Sequence, residues 1–225
     1  MMGRFARIFS GAFLAAALAS VGGVRMADAH PHVFVKGGVS FVLDDQQALT
    51  ALKVIWRYDL FETLYALSSL EIVPDAGGKL APEDRQRVSE HMTDWPEAFN
   101  GSAHLSIADE KIAMLRPTSM DVELVDGSLV MRFQRDLEAP ISMTDQTAEV
   151  GFYEETYFYA FSVTEEPEVH GANTGQSCSA EVIPFDPNAE LEALQVTLFA
   201  LGREETPDAP DVGALFADRI VLKCE

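Results

Sequence analysis

The residues with the clearest chemical potential stand together near the start of the chain, at His30-Pro31-His32. Positions two apart in an extended strand send their side chains to the same face, so both imidazoles would point one way. A cut after Ala29 would add a free α-amine to the group. With an ordinary pKa of roughly 7.7–8.0, part of that amine is neutral near pH 7 and able to ligate. Nitrogen-rich sets of this kind suit Cu(II), Ni(II) or Zn(II). Pro31 lacks a backbone N–H, which blocks amide-nitrogen coordination between the amine and His32. Further ligands must come from elsewhere in the fold. His104, in a strand candidate, is the expected third ligand, whereas His91 reads as a helix-surface residue and His170 as a loop residue. The competing reading is ordinary histidines at a frayed terminus.

Other constellations are weaker. The stretch from Asp75 to Glu83 lacks the alternating acids and the length of a calcium loop and reads as a helix-connecting turn. There is no GxSxG, HExxH or P-loop pattern, and the carboxylates are too numerous for any pair to stand out, so no enzymatic activity is expected. The aromatic run over residues 151–161 reads as a core strand rather than a pocket lining. Cys178 and Cys224 are the chain's two cysteines, and their spacing fits neither a zinc ribbon nor a CxxC motif. In an oxidising compartment they are expected to form one disulfide, the alternative being two buried thiols.

The compartment is read from the first 29 residues. Arg4 and Arg7 precede a mostly apolar run over residues 8–21, and Ala27-Asp28-Ala29 is a small-x-small cleavage site, with Ala17-Leu18-Ala19 as a rival. Residues 1–29 are therefore expected to be a signal peptide and residues 30–225 one periplasmic domain, soluble after cleavage. The apolar run is short of the roughly 20 residues of a membrane span. An uncleaved anchor is the alternative. The removed segment carries Arg4, Arg7 and Arg25 against Asp28, so the mature chain keeps 13 of 16 Lys and Arg, 35 of 36 Asp and Glu, and a net charge of about −22. Such a surface repels phosphate backbones and argues against nucleic-acid binding.

The elements that must position these residues are mostly strands. β-Branched and aromatic content marks residues 32–43 and 49–58 as a hairpin, with Gly37-Gly38 as a bulge or bend. Asp59 is placed to cap a helix over residues 60–70, where Leu60, Leu64, Leu67 and Leu70 approximate helical spacing. Pro82, with Glu83 and Asp84, opens a second helix to about Trp95. Strands are expected over residues 103–108, 111–115, 121–125, 128–135, 149–163, 178–183 and 219–224, with Asp126-Gly127 as a hairpin turn. Leu191, Leu194, Leu198 and Leu201 mark a third helix over residues 189–201, and residues 213–217 a short turn. The sum is a β-rich α+β single domain with antiparallel, sandwich-like sheets and about three helical segments.

The segment Ala29-His30-Pro31-His32-Val33-Phe34-Val35 resembles the opening motif of a bacterial family, domain of unknown function 1007, whose members are often labelled periplasmic components of ABC-type transport systems. The resemblance continues through Val54-Ile55-Trp56-Arg57-Tyr58-Asp59, the aromatics from Tyr157 to Phe161 and the closing residues 215–224. One departure is Glu154-Glu155-Thr156-Tyr157, where similar proteins tend to carry an Asp-Pro. The resemblance implies traffic of a divalent transition metal (Zn, Ni, Co or Cu) and a membrane metal transporter or ABC transporter components as partner. A metal-free interaction module docking on a membrane transporter is the alternative. A two-lobed solute-binding protein is disfavoured, because no parallel βα pattern is evident.

Overall fold

The computed structural model describes residues 31–95, 99, 101–117, 119–155, 157–171, 178–186 and 212–224. His30, the expected signal peptide and the third expected helix lie outside the described residues. Among the described residues the chain is mostly β, with two α-helices.

The first hairpin is built from two alternating strands. β1 (Val33–Leu43) and β2 (Ala48–Tyr58) pair antiparallel through Asp44, whose side-chain carboxylate accepts the Gln46 and Ala48 backbone N–H groups and closes the turn. The bulge expected at Gly37-Gly38 is not there: Gly37 pairs Trp56 and Gly38 pairs Ile55 in continuous register, and the register shift falls between Val42 and Leu43. The glycines answer to close approach instead. A Cβ on Gly37 would lie 2.0 Å from the Ile55 carbonyl oxygen, and one on Gly38 would lie 2.8 Å from Glu165 Cβ.

Asp59 ends β2 and caps α1 (Leu60–Ser69) by accepting the Glu62 N–H. Of the leucine series, Leu67 is buried with Thr63 and Ala66, whereas Leu60 and Leu64 are exposed. The helix is fixed by a polar contact, the buried Thr63 hydroxyl accepting the Leu129 backbone N–H at 2.9 Å. α2 (Pro82–Thr93) starts on its proline and buries Val88. The Asp75 carboxylate accepts the Gly77 and Lys79 N–H groups, as a turn does.

The remaining strands are β3 (Ala103–Ile107), β4 (Glu110–Ile112), β5 (Asp121–Val125), β6 (Ser128–Ser142), β7 (Thr147–Phe152), β8 (Tyr159–Val163), β9 (Val169–His170), β10 (Cys178–Ile183) and β11 (Arg219–Cys224). A 3-10 turn, Val212–Phe216, occupies the expected short-turn position. The Asp126-Gly127 turn between β5 and β6 has both residues at positive φ, 52° and 79°, which fits the twist of a tight hairpin.

One sheet runs β5-β6-β2-β1-β8, with β9 also against β1; the other runs β10-β11-β7-β3-β4. β8 and β9 are parallel to β1, so the expectation of wholly antiparallel sheets is corrected for this edge. The single strand expected over residues 149–163 is two, in different sheets. Tyr157, at φ 60°, and the Glu154 carboxylate, which accepts the Phe158 N–H, turn the chain between them. Both sheets feed one apolar cluster, including Phe41, Leu52, Val54 and Met131 from the first and Leu105, Val150, Ile220 and Leu222 from the second. Phe152 and Phe161, one from each sheet, have ring centroids 6.1 Å apart. Cys178 and Cys224 face each other across β10 and β11 and are disulfide-bonded, as expected.

Candidate functional site

His32 is held where the chain enters β1. Its backbone N–H donates to the Phe158 carbonyl at 2.9 Å, and its ring packs on Phe158 with centroids 4.9 Å apart. The next residue, Val33, is registered with Tyr159 of β8. Asp59 fastens the other side: its backbone N–H donates to the Phe34 carbonyl, and its Oδ2 accepts the Phe34 N–H at 2.9 Å.

Burial and nearby carboxylates together act on the titratable groups at this end of the sheet. The Tyr159 hydroxyl is pushed up to about 12, first by burial and then by the Glu62 and Glu154 carboxylates and Tyr65. Tyr58, fully buried, is raised beyond the ordinary phenol range by burial, then by Tyr159 and Glu62. Glu62 is itself raised, by burial first and by Asp59 second. Each shift is what a local excess of negative charge and low dielectric produces, and a cation placed here would relieve the carboxylate repulsion. Both phenols stay protonated at neutral pH. Among the described residues, no three His, Cys, Asp or Glu side chains form a group that could hold a metal ion.

His104 is placed differently. On β3 it pairs with Gly151, its ring stacks on Tyr153 at 3.5 Å with a 5° interplanar angle, and its Nε2 lies 3.0 Å from the Tyr153 carbonyl oxygen. A carbonyl partner requires that nitrogen to carry the proton and donate, which leaves Nδ1 as the ring's acceptor nitrogen. His104 also lines a pocket with Lys111, Arg116 and Arg135, a cationic neighbourhood. His91 is exposed on α2, and His170 lies on β9 rather than in a loop, its Nε2 3.5 Å from the Glu168 carboxylate.

Two features escaped the sequence reading. An aromatic-lined pocket of about 290 Å³ lies among Trp56, Tyr58, Trp95, Phe99, Tyr159 and Phe161. Beside it Arg135 is only 3% exposed, its guanidinium 5.2 Å from the Trp95 ring and bonded to the Leu115 and Met114 carbonyls. Gly101 is required by that packing: at φ +78°, a Cβ there would come within 2.6 Å of both Arg135 and Trp95. The signal for Arg135 was in the alternation of β6, where Leu129, Met131, Phe133 and Leu137 share its buried face.

A family model described as "Protein of unknown function (DUF1007)" matches residues 15–224. An uncharacterized protein of Haemophilus influenzae is 22% identical over 208 residues, covering 88% of this chain and 92% of the relative.

Proposed function

Given that this chain belongs to the DUF1007 family, a family of unknown function, we propose that it is a non-enzymatic, periplasmic accessory of a metal transport system, binding a divalent transition metal (Zn, Ni, Co or Cu) at its mature N-terminus for an ABC-type or other membrane transporter. In this reading residues 1–29 are a cleaved leader and residues 30–225 form a single sandwich-like domain. One observation carries the proposal: His32 is fixed at the start of β1, beside Tyr159, on which the Glu62 and Glu154 carboxylates both act. Two imidazoles and an amine set against carboxylates make a mixed nitrogen and oxygen donor set, which suits these metals. With Nε2 donating to the Tyr153 carbonyl, His104 could ligate only through Nδ1, and it lies in a cationic neighbourhood that disfavours a metal ion. The supplementary ligand is therefore assigned to Glu154 or Glu62 in preference to it.

Calorimetry on the mature protein tests this. Wild type should bind one Zn(II), Ni(II) or Cu(II), and the His30→Ala, His32→Ala variant should lose that binding while keeping its melting temperature. Only neutral imidazole ligates, so affinity should fall as pH drops through about 6.5. Equal affinities in the two proteins would sink the metal reading.

The second reading, a metal-free module docking on a membrane transporter, is favoured by the outer face of α1. Leu60, Phe61, Leu64 and Tyr65 are 57%, 87%, 65% and 71% exposed, and Phe34 and Phe158 are also exposed beside His32. Apolar exposure of this extent is characteristic of interaction surfaces.

A further inference from the structure

We propose that the pocket between the β3–β4 hairpin and the buried Arg135 of β6 binds a small organic anion, an oxyanion head carried on an apolar body. The pocket has a volume of about 430 Å³. His104, Lys111, Arg116 and Arg135 line it, together with apolar residues that include Phe99 and Met114. None of its described lining residues is acidic. The mature chain holds 35 acidic residues and only 13 Lys and Arg, so gathering three of those cations around one pocket runs against the whole composition. Glu110 and Asp136, the sequence neighbours of Lys111 and Arg135, are not among the lining residues.

The cations are arranged in depth. Arg135 is a fixed, buried charge, held by the Trp95 face and by the Leu115 and Met114 carbonyls. Burial lowers its pKa only to about 10, so it is charged at neutral pH. Lys111 and Arg116 are exposed, and Arg116 Nη1 donates to the Trp95 carbonyl at 2.6 Å. Guanidinium and ammonium groups lining one pocket favour carboxylate or phosphate oxygens through charge-assisted hydrogen bonds. The chain's negative surface does not cancel this, because a Debye length of about 8 Å at physiological salt makes the local field decide. The apolar lining fits the body of the ligand, and the same cations would repel a divalent metal. The site is therefore independent of the one proposed at His30 and His32.

The test uses the mature protein with three probes: phenyl phosphate (head and body), inorganic phosphate (head alone) and benzyl alcohol (body alone), titrated by NMR and calorimetry. Phenyl phosphate should saturate one site with a Kd below about 1 mM and outbind each fragment. Its affinity should fall with added NaCl, and by about tenfold or more in Lys111→Glu, Arg116→Glu, consistent with the loss of two charge-assisted contacts. If the double variant fails to fold, Lys111→Glu, at an exposed position of the short edge strand β4, carries the comparison. Absence of saturable phenyl phosphate binding, or an affinity unchanged in the folded variant, overturns the proposal. Inorganic phosphate binding as tightly as phenyl phosphate overturns the assignment of an apolar body.

Discussion

At the residue scale, Asp59 does more than the capping role its position implies. Oδ1 accepts the Glu62 N–H and caps α1, Oδ2 accepts the Phe34 N–H, and its own N–H returns to the Phe34 carbonyl. One side chain thus joins the end of β2, the start of α1 and the start of β1 beside His32. Losing an N-cap costs about 1 kcal/mol, and losing the Phe34 bond roughly another 0.5–1.5 kcal/mol. Asp59→Ala should therefore lower stability by about 2 kcal/mol, and Asp59→Asn, which keeps one acceptor oxygen, by about half of that. Urea denaturation midpoints at neutral pH measure both. An alanine variant as stable as wild type would show that these bonds contribute nothing in solution. The cap was legible because Asp before an apolar periodic run is a local signal. The bond to Phe34 was not, because it spans 25 positions and depends on which strands pair.

At the element scale, β1 is constrained on both sides at its glycine pair. Gly37 stands opposite Trp56 in β2, and its carbonyl accepts the Thr164 and Glu165 N–H groups where the chain leaves β8. A methyl group on Gly37 would meet the Ile55 carbonyl oxygen at 2.0 Å and Trp56 Cδ1 at 3.3 Å. That oxygen is backbone in a paired strand and cannot yield without parting β1 from β2. Gly37→Ala should accordingly cost at least about 3 kcal/mol, at the high end for overpacking. Gly78→Ala is the control. Its Cβ would meet nothing within 4 Å, so only the strain of its φ of +73° remains, about 1–2 kcal/mol. Chemical denaturation of both variants checks the order, and a Gly37 variant no weaker than the Gly78 variant would contradict it. Alternation and turn residues made β2, β5, β10, β11 and the Asp126-Gly127 hairpin readable from sequence, because those signals are local. The parallel pairing of β8 with β1 and the splitting of the aromatic run between sheets were not readable. Both depend on partners far along the chain. The same distinction governs the candidate site: His32 announced itself through its spacing to His30, while the action of Glu62 and Glu154 on Tyr159 arises only through the fold.

At the scale of the whole molecule, charge is the dominant fact. If every Lys and Arg were paired one to one, 36 acidic residues against 16 cations would still leave 20 carboxylates unpaired, the net charge of −20. The described ion pairs, among them Arg87–Asp84, Arg219–Glu149 and Lys223–Glu181, lie at the surface, where such pairs contribute little. The folded state therefore concentrates repulsion that the expanded unfolded chain relieves. Salt should weaken that repulsion, since the Debye length falls from about 30 Å at 0.01 M to about 10 Å at 0.1 M. The melting temperature of the oxidised, metal-free mature protein should thus rise by several degrees between about 10 mM and 300 mM NaCl, a gain of about 1–2 kcal/mol at about 2–4 °C per kcal/mol. KCl at the same ionic strength should match NaCl, because screening does not distinguish the two cations. A divalent ion captured at the N-terminal site would act differently, raising the melting temperature at concentrations too low to screen and saturating as the site fills. A melting temperature that stayed flat or fell with salt would mean that repulsion does not limit this fold, and that its carboxylates are held in compensating contacts.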